Sequence, residues 1–246
     1  MDNVIKIYKK KGETPLDCIL NLKKNDERLR FLSMTYAGRL DPLAEGLLII
    51  LLGDEVYKKE EYLNLDKEYE VDILFGFATD TYDLMGKITD VLHQEFSGCP
   101  TSVISKFIGK INQSYPPYSS KTVDGKPLWQ WAREGRIGEI EIPKHEVFIK
   151  NIEIIKEESY LGSELLSKIQ KDIALVSGDF RQEEILKDWE EALENFQKEN
   201  FLVLSINVLS SSGAYMRSLV NDIGKKIEVP TLALNIKRTK IGEYII

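Results

Sequence analysis

A chain of 246 residues with 43% hydrophobic side chains can bury a sizeable core, as one large domain or as a domain with a small appendage. Two cysteines, Cys18 and Cys99, exclude a disulfide framework, and with the separated histidines His93 and His145 they show no metal-ligand spacing. The net charge of −7 argues against a nucleic-acid partner only until it is mapped: residues 156 to 200 hold 12 acidic and 6 basic side chains, so the rest is close to neutral. Basic clusters at Lys9 to Lys11, at Lys225 and Lys226, and at Lys237, Arg238 and Lys240 then allow a locally positive face. The N-terminus, MDNVIKIYKKKGE, lacks a signal-peptide core, and no apolar run is long enough to span a bilayer. The expectation is a cytoplasmic protein with no membrane association and no structural metal.

Residues 4 to 8 read as a short strand. Thr14 is an N-cap with Pro15 at the first helical position and Asp17 in capping-box register, which predicts a helix to about Arg30. In Tyr36 to Gly53, YAGRLDPLAEGLLIILLG, Gly38 permits a turn, Pro42 fixes the chain just after Asp41, and Leu47 to Leu52 is a buried strand. Asp41 is thus held in a loop at a strand edge, either as an Asx turn or as a presented carboxylate. Asp54 can cap a polar helix. Lys67 to Phe75 is a strand with Tyr69, Val71 and Ile73 on one face, where Tyr69 is either a core aromatic or a stacking platform. Thr79, Asp80, Thr81 and Asp83 then form a polar turn ending at Gly86.

Val103, Ile104, Phe107, Ile108 and Ile111 predict a core-facing helix over Pro100 to Ile111. Gln113 to Gly135 interleaves aromatics with Lys121, Lys126 and Arg133, a pattern shared by platforms for unpaired bases and by aromatic hairpins packed on a core. Glu146 to Ile155 is a strand. In the acidic stretch Ser159 to Asn200, Ile185, Trp189, Ala192 and Phe196 draw one apolar stripe, a surface helix with one packed face. Phe201 to Leu209 is a strand leading into the turn and helix of SSSGAYMRSLVNDIG, whose buried side carries Tyr215, Leu219, Val220 and Ile223. Arg217 has no acid at i,i+4 and opposes the dipole at a helix start, which points to a carboxylate partner elsewhere in the fold.

These stretches together resemble the TruB family of tRNA pseudouridine synthases. Gly38, Leu40, Asp41, Pro42, Ala44 and Gly46 match its loop G-x-L-D-P-x-A-x-G, and Gly76 to Gly86 matches G-x-x-T-D-T-x-D-x-x-G. Lys67 and Tyr69 match K-x-Y. Pro116, Tyr118, Ser119, Gly125, Ala132 and Arg133 match most of P-P-x-Y-S-A-x-K-x-x-G and Y-x-x-A-R. Ser210 to Gly224 is similar to C-S-x-G-T-Y-I-R-x-L-x-x-D-x-G, and NIKRTKIG to L-R-R-T-x-x-G with Ile236 for the leucine. Departures are the missing proline and serine of K-P-x-G-x-T-S near Lys9, Tyr36 where bacterial relatives carry the histidine of G-H-T-G, and Arg39, which is similar to the R-L-D loop of ribosomal-RNA-modifying synthases.

The resemblance implies an α/β (α+β) pseudouridine synthase fold, a mixed, largely antiparallel sheet flanked by helices. It implies one catalytic domain over 1–246, with an acidic helical insertion at about 157–199 and without the C-terminal PUA-type RNA-binding domain of many relatives. By the resemblance, Asp41, Tyr69 and Arg217 are catalytic, and Tyr36, Lys67, Asp83, Tyr215, Ile236 and Arg238 bind substrate. The implied partner is the T-stem-loop of tRNA, with uridine 55 isomerised after base flipping, by a monomer needing no obligatory protein partner. Alternatives are a synthase directed at another RNA and a non-catalytic tRNA-folding module. The reaction needs no cofactor, and neither G-x-x-x-x-G-K-[ST] nor G-x-G-x-x-G occurs. A carboxylate can attack the sugar carbon, or stabilise an oxocarbenium-like sugar and take a proton from C2′. Arg217 would keep that carboxylate charged.

Overall fold

The computed structural model describes residues 3–92 and 100–246. In chain order it comprises β1 (Val4–Lys9), α1 (Pro15–Asn25), β2 (Met34–Ala37), β3 (Glu45–Leu52), α2 (Lys59–Leu63), β4 (Lys67–Phe75), β5 (Phe77–Thr79), β6 (Ile88–Val91) and α3 (Thr101–Ile104). There follow β7 (Gly109–Ser114), β8 (Thr122–Val123), β9 (Lys126–Pro127), α4 (Leu128–Arg133), β10 (Lys144–Leu161), α5 (Gly162–Ala174), α6 (Gln182–Leu193), β11 (Asn200–Ser210), α7 (Met216–Ile227), β12 (Thr231–Ile241) and β13 (Tyr244–Ile245). Nine strands form one sheet in the order β1-β3-β12-β4-β11-β10-β7, with β2 on β3 and β13 on β12. Among the described strand pairs β3 with β12 is parallel and the others are antiparallel, the mixed, largely antiparallel sheet that the resemblance implies. Among the described residues no helix is long and apolar enough to cross a membrane.

The alternation of β3 explains its unbroken apolar run. Leu48, Ile50 and Leu52 pack on Cys18 and Ile19 of α1, while Leu47, Ile49 and Leu51 meet Ile241, Tyr62 and Leu65 on the other face. Each such burial contributes about 1.5–3 kcal/mol. The central strands are covered on both sides. Leu219, Val220 and Ile223 of α7 pack on Val71, Ile73 and Val208. On the opposite face Leu165, Ile169, Ile185, Trp189 and Leu193 of α5 and α6 pack on Leu74, Phe77, Phe201 and Leu232.

Three predicted elements are redrawn. The helix from Pro15, with the Thr14 and Asp17 capping box in place, stops at Asn25 because Asp26 turns to extended geometry and caps a 3₁₀ turn over Glu27–Leu29. Over Pro100–Ile111 the helix is a single turn. Ile108 becomes extended and Gly109 takes φ 108°, and the remaining apolar residues enter β7. The acidic stretch holds a second helix, α5, before the predicted one, and the predicted stripe of Ile185, Trp189, Ala192 and Phe196 is the packed face of α6 and of the turn just after it. Trp189 is fully buried, its ring 5.0 Å from that of Phe77. Lys11 pairs with Asp172 at 3.0 Å, and a Cβ at Gly12 would strike the carbonyl of Leu175, so this helix pair packs directly on the loop after β1.

Candidate active site

Asp41 lies in the loop between β2 and β3, entered through Gly38 at φ 88°. Two buried cations hold that loop by its backbone. Arg238, from β12, donates from Nε to the carbonyl of Leu47 at 2.8 Å and from Nη1 and Nη2 to those of Arg39 and Gly38 at 3.3 Å. Lys9, at the end of β1, donates from Nζ to Ala44 at 2.5 Å, Pro42 at 3.2 Å and Lys10 at 3.1 Å. Burial pulls the Lys9 ammonium down to about 8. With the main chain gripped on both sides of Asp41, its side chain remains 42% exposed and faces a cleft of about 790 Å³.

The third cation is Arg217, in the first turn of α7 and 4% exposed. Its Nε donates to Asp41 Oδ2 at 2.8 Å and lies 3.6 Å from Asp83 Oδ2. Nη1 donates to the carbonyl of Thr81 at 2.8 Å and Nη2 to that of Tyr118 at 3.3 Å. Burial alone would lower the Arg217 pKa, but Asp41 and Asp83 more than offset it and raise it. Here is the tertiary carboxylate partner predicted for Arg217, and it is doubled. Asp83 is fixed by Thr81 Oγ1 at 2.6 Å and the Met85 N–H at 2.9 Å, and burial pushes its carboxyl up against the opposing pull of Arg217. Gly86 has to be glycine here, because a Cβ would collide with Thr81 and Asp80.

Tyr69 and Ile236 reach the cleft from the adjacent strands β4 and β12, and Tyr215 from the residue before α7. Tyr215 is held by Gln113, whose Oε1 accepts the Tyr215 N–H at 2.8 Å while its Nε2 donates to the Tyr215 carbonyl at 3.0 Å. Behind it Tyr115 stacks on His145 at 4.1 Å. Tyr36, on β2, stands at the cleft with Lys59 Nζ 5.4 Å from its ring centre.

All nine residues selected from the sequence therefore line one cleft. Three differ from the direct substrate contact expected of them: Asp83 is largely buried and committed to Thr81, Met85 and Arg217, and the nitrogens of Lys67 and Arg238 are occupied. Lys67 donates to the carbonyls of Leu63 at 2.5 Å and Leu65 at 2.6 Å, closing the end of α2, and Arg238 holds the Asp41 loop. Sequence reading matched Tyr118 to a family motif without giving it a role, and did not single out the loop-holding role of Lys9, or Gln113 and Arg181, whose partners are distant in the chain. Among the described residues no three of His, Cys, Asp and Glu converge in a metal-binding group; His93 and Cys99 lie outside the described residues.

A carboxylate held against a buried arginine, with a tyrosine lining the same cleft, is the arrangement expected from the family resemblance. A family model described as TruB family pseudouridylate synthase (N terminal domain) matches residues 27–173. The chain belongs to the TruB family. Relatives in that family include the tRNA pseudouridine synthase B of Lactobacillus acidophilus, 31% identical over 244 residues, which cover 97% of this chain and 68% of that protein. The enzyme of the same name from Aquifex aeolicus is 29% identical over 246 residues, covering 99% and 69%. A solved Cbf5-Nop10-Gar1 complex shares the fold at a TM-score of 0.56 and 18% identity, and a structure of an H/ACA RNP bound to a substrate RNA containing 2′-deoxyuridine at 0.55 and 17%. The chain spans about half the length of these two solved chains, 50% and 48%.

Proposed function

We propose that this TruB-family protein isomerises the T-loop uridine at position 55 of tRNA to pseudouridine, with Asp41 as the reacting carboxylate. The observation that carries the reading is the bond from Arg217 Nε to Asp41 Oδ2 at the floor of a cleft large enough for an extruded nucleoside. A uridine stacked in a helix or folded loop cannot reach Asp41 unless it is flipped out. Once inside, its base has the ring of Tyr69 to stack on, beside Tyr215 and Ile236.

In the rearrangement the C1′–N1 bond breaks, the uracil turns, and C1′ bonds to C5. The proton on C5 is then lost and N1 gains one, with no net redox change. Asp41 can act by attacking the sugar carbon or by stabilising the cationic sugar and removing a proton from C2′. Arg217 keeps it charged and oriented, and the Tyr69 hydroxyl can assist loss of the C5 proton. Lys121, Lys126 and Lys59 sit over the rings of Tyr115, Trp131 and Tyr36 at 5.2, 4.3 and 5.4 Å, and of these rings Tyr36 lines the cleft. Such cation-topped aromatics suit the phosphates and splayed bases of an RNA loop despite the net negative charge.

The protein acts in the cytoplasm as a monomer without an obligatory protein partner. The deciding experiment is incubation with unmodified tRNA and separately with ribosomal RNA, followed by mapping of pseudouridine. Product at position 55 in tRNA, abolished in Asp41→Asn with RNA affinity within a few-fold of wild type, is the expected result. Product in ribosomal RNA alone, or Asp41→Asn turning over like wild type, would overturn it.

A further inference from the structure

The turn between α5 and α6 belongs to the acidic stretch that carries no family motif, yet it reaches the cleft. Asp179, Phe180 and Arg181 line it. Arg181 grips Asp80 with both ends of its guanidinium, Nη1 to Oδ2 at 2.7 Å and Nη2 to Oδ1 at 3.2 Å. The same guanidinium lies 4.8 Å from the ring centre of Tyr118, whose hydroxyl donates to Asp80 Oδ2 at 3.2 Å. The pair is largely withdrawn from water, Arg181 at 19% and Asp80 at 28% exposed, so it is screened less than a surface bridge. Arg181 adopts φ 63°, a backbone state disfavoured for a long side chain and tolerated where the surroundings enforce it.

What Arg181 fastens is the frame around Arg217. The carbonyls of Thr81, the neighbour of Asp80, and of Tyr118 are the acceptors that set the angle of the Arg217 guanidinium, and Nε then meets Asp41. We propose that Arg181 is a positioning residue for the reaction, acting through Asp80 and Tyr118 to orient Arg217 against Asp41. The inference rests on the reading of Asp41 as the reacting group. It gives the motif-free helix pair a part in the chemistry as well as in the core.

The test uses the full chain and an unmodified T-stem-loop RNA, with Arg181→Asn, Arg181→Lys, Asp80→Asn and the double variant Arg181→Asn with Asp80→Asn. Asparagine tolerates the left-handed backbone but lacks the reach. Two readouts are followed, single-turnover rate against Kd, and the Nε–H signal of Arg217 in ¹⁵N-arginine-labelled protein. Expected for Arg181→Asn is a rate loss of about ten-fold or more with Kd within about three-fold, the split that marks an interaction realised in the transition state. The double variant should be no slower than its slower parent, since both residues act along one path. Arg181→Lys should recover part of the rate, keeping charge without the two-pronged grip. The Arg217 signal should shift and exchange faster with water in Arg181→Asn. A wild-type rate, or a loss confined to Kd, would overturn the proposal and make Arg181 an RNA contact at most. Should the wild type fail to turn over this RNA, the functional reading falls, and the Arg217 signal still decides: an unmoved signal ends the positioning role. If Arg181→Asn does not fold, Arg181→Lys and Asp80→Asn carry the same comparison.

Discussion

Arg217→Met keeps most of the stem and removes the charge that two carboxylates share. Asp83 is then left buried without its ion partner, and the Thr81 and Tyr118 carbonyls lose a donor. Deleting one member of a buried pair costs about 3–5 kcal/mol. Asp83 can escape part of that cost by binding a proton, so about 3 kcal/mol is expected, or a fall in Tm of about 6–12 °C for a chain of this length. The pH dependence has a definite sign. Burial already pushes the Asp83 carboxyl above its ordinary 3.8, and without Arg217 it goes higher. An acid whose folded pKa exceeds its unfolded value holds the proton more tightly when folded. Its contribution to stability therefore grows as pH falls through the folded pKa and levels off below the unfolded one. Calorimetry at a series of pH values should show the deficit of Arg217→Met relative to wild type narrowing as the solution is made more acid. Adding Asp83→Asn should recover most of the stability while tritium release from uridine-labelled RNA stays at background. A deficit that widens in acid, or no recovery with Asp83→Asn, would refute the shared-cation account.

Arg238→Met should lower turnover at least about ten-fold with RNA affinity within about three-fold, because Arg238 acts on the Asp41 loop; a salt-dependent loss of affinity at unchanged rate would return it to substrate binding. Trp189→Ala should cost about 3–5 kcal/mol in denaturant unfolding, the range for truncating a buried tryptophan. A change under about 1 kcal/mol would mean the α5–α6 pair is not part of the core. Tyr36→Phe and Tyr36→His should stay active in the same turnover assay, while Tyr36→Ala should lose about ten-fold in rate or affinity, as expected for loss of a stacking ring. Equal activity for Tyr36→Ala and wild type on a T-loop substrate would defeat that role.

Asp41 and Arg217 were legible in the sequence for reasons that survive in three dimensions. The loop bounded by Gly38 and Pro42 left Asp41 open between an Asx turn and a presented carboxylate until the match to the family loop singled it out, and an arginine opposing a helix dipole needs an anion nearby. The strands were legible where apolar periodicity extends over many residues, as in Glu45–Leu52 and Asn200–Ser210. Lys67 and Arg238 read as substrate-binding residues because a basic residue in a family motif carries no local sign of burial. The carbonyls that Arg238 holds lie up to 200 residues away in the chain, whereas those of Lys67 are within 5. Arg181 has no local signature at all, since its value depends on the packing of a helix pair over Phe77. The short helix at Thr101 was overread because apolar spacing alone does not show where Gly109 turns the chain.

The place of β12 bears on how the molecule assembles during synthesis. Strands β1 to β3 form one ribbon, and β4, β7, β10 and β11 form another. The strand that joins them, between β3 and β4, is Thr231–Ile241, made well after both of its neighbours. Until it emerges, β4 presents an unpaired apolar edge and the Glu45–Gly46 end of β3 lacks a partner, a liability for association between nascent chains. The Asp41 loop likewise has no Arg238 to hold it. Both are resolved in one step of high contact order, the kind that slows folding most. Truncations that stop before Thr231 should therefore be recovered as aggregates, and the first competent length should coincide with completion of this strand.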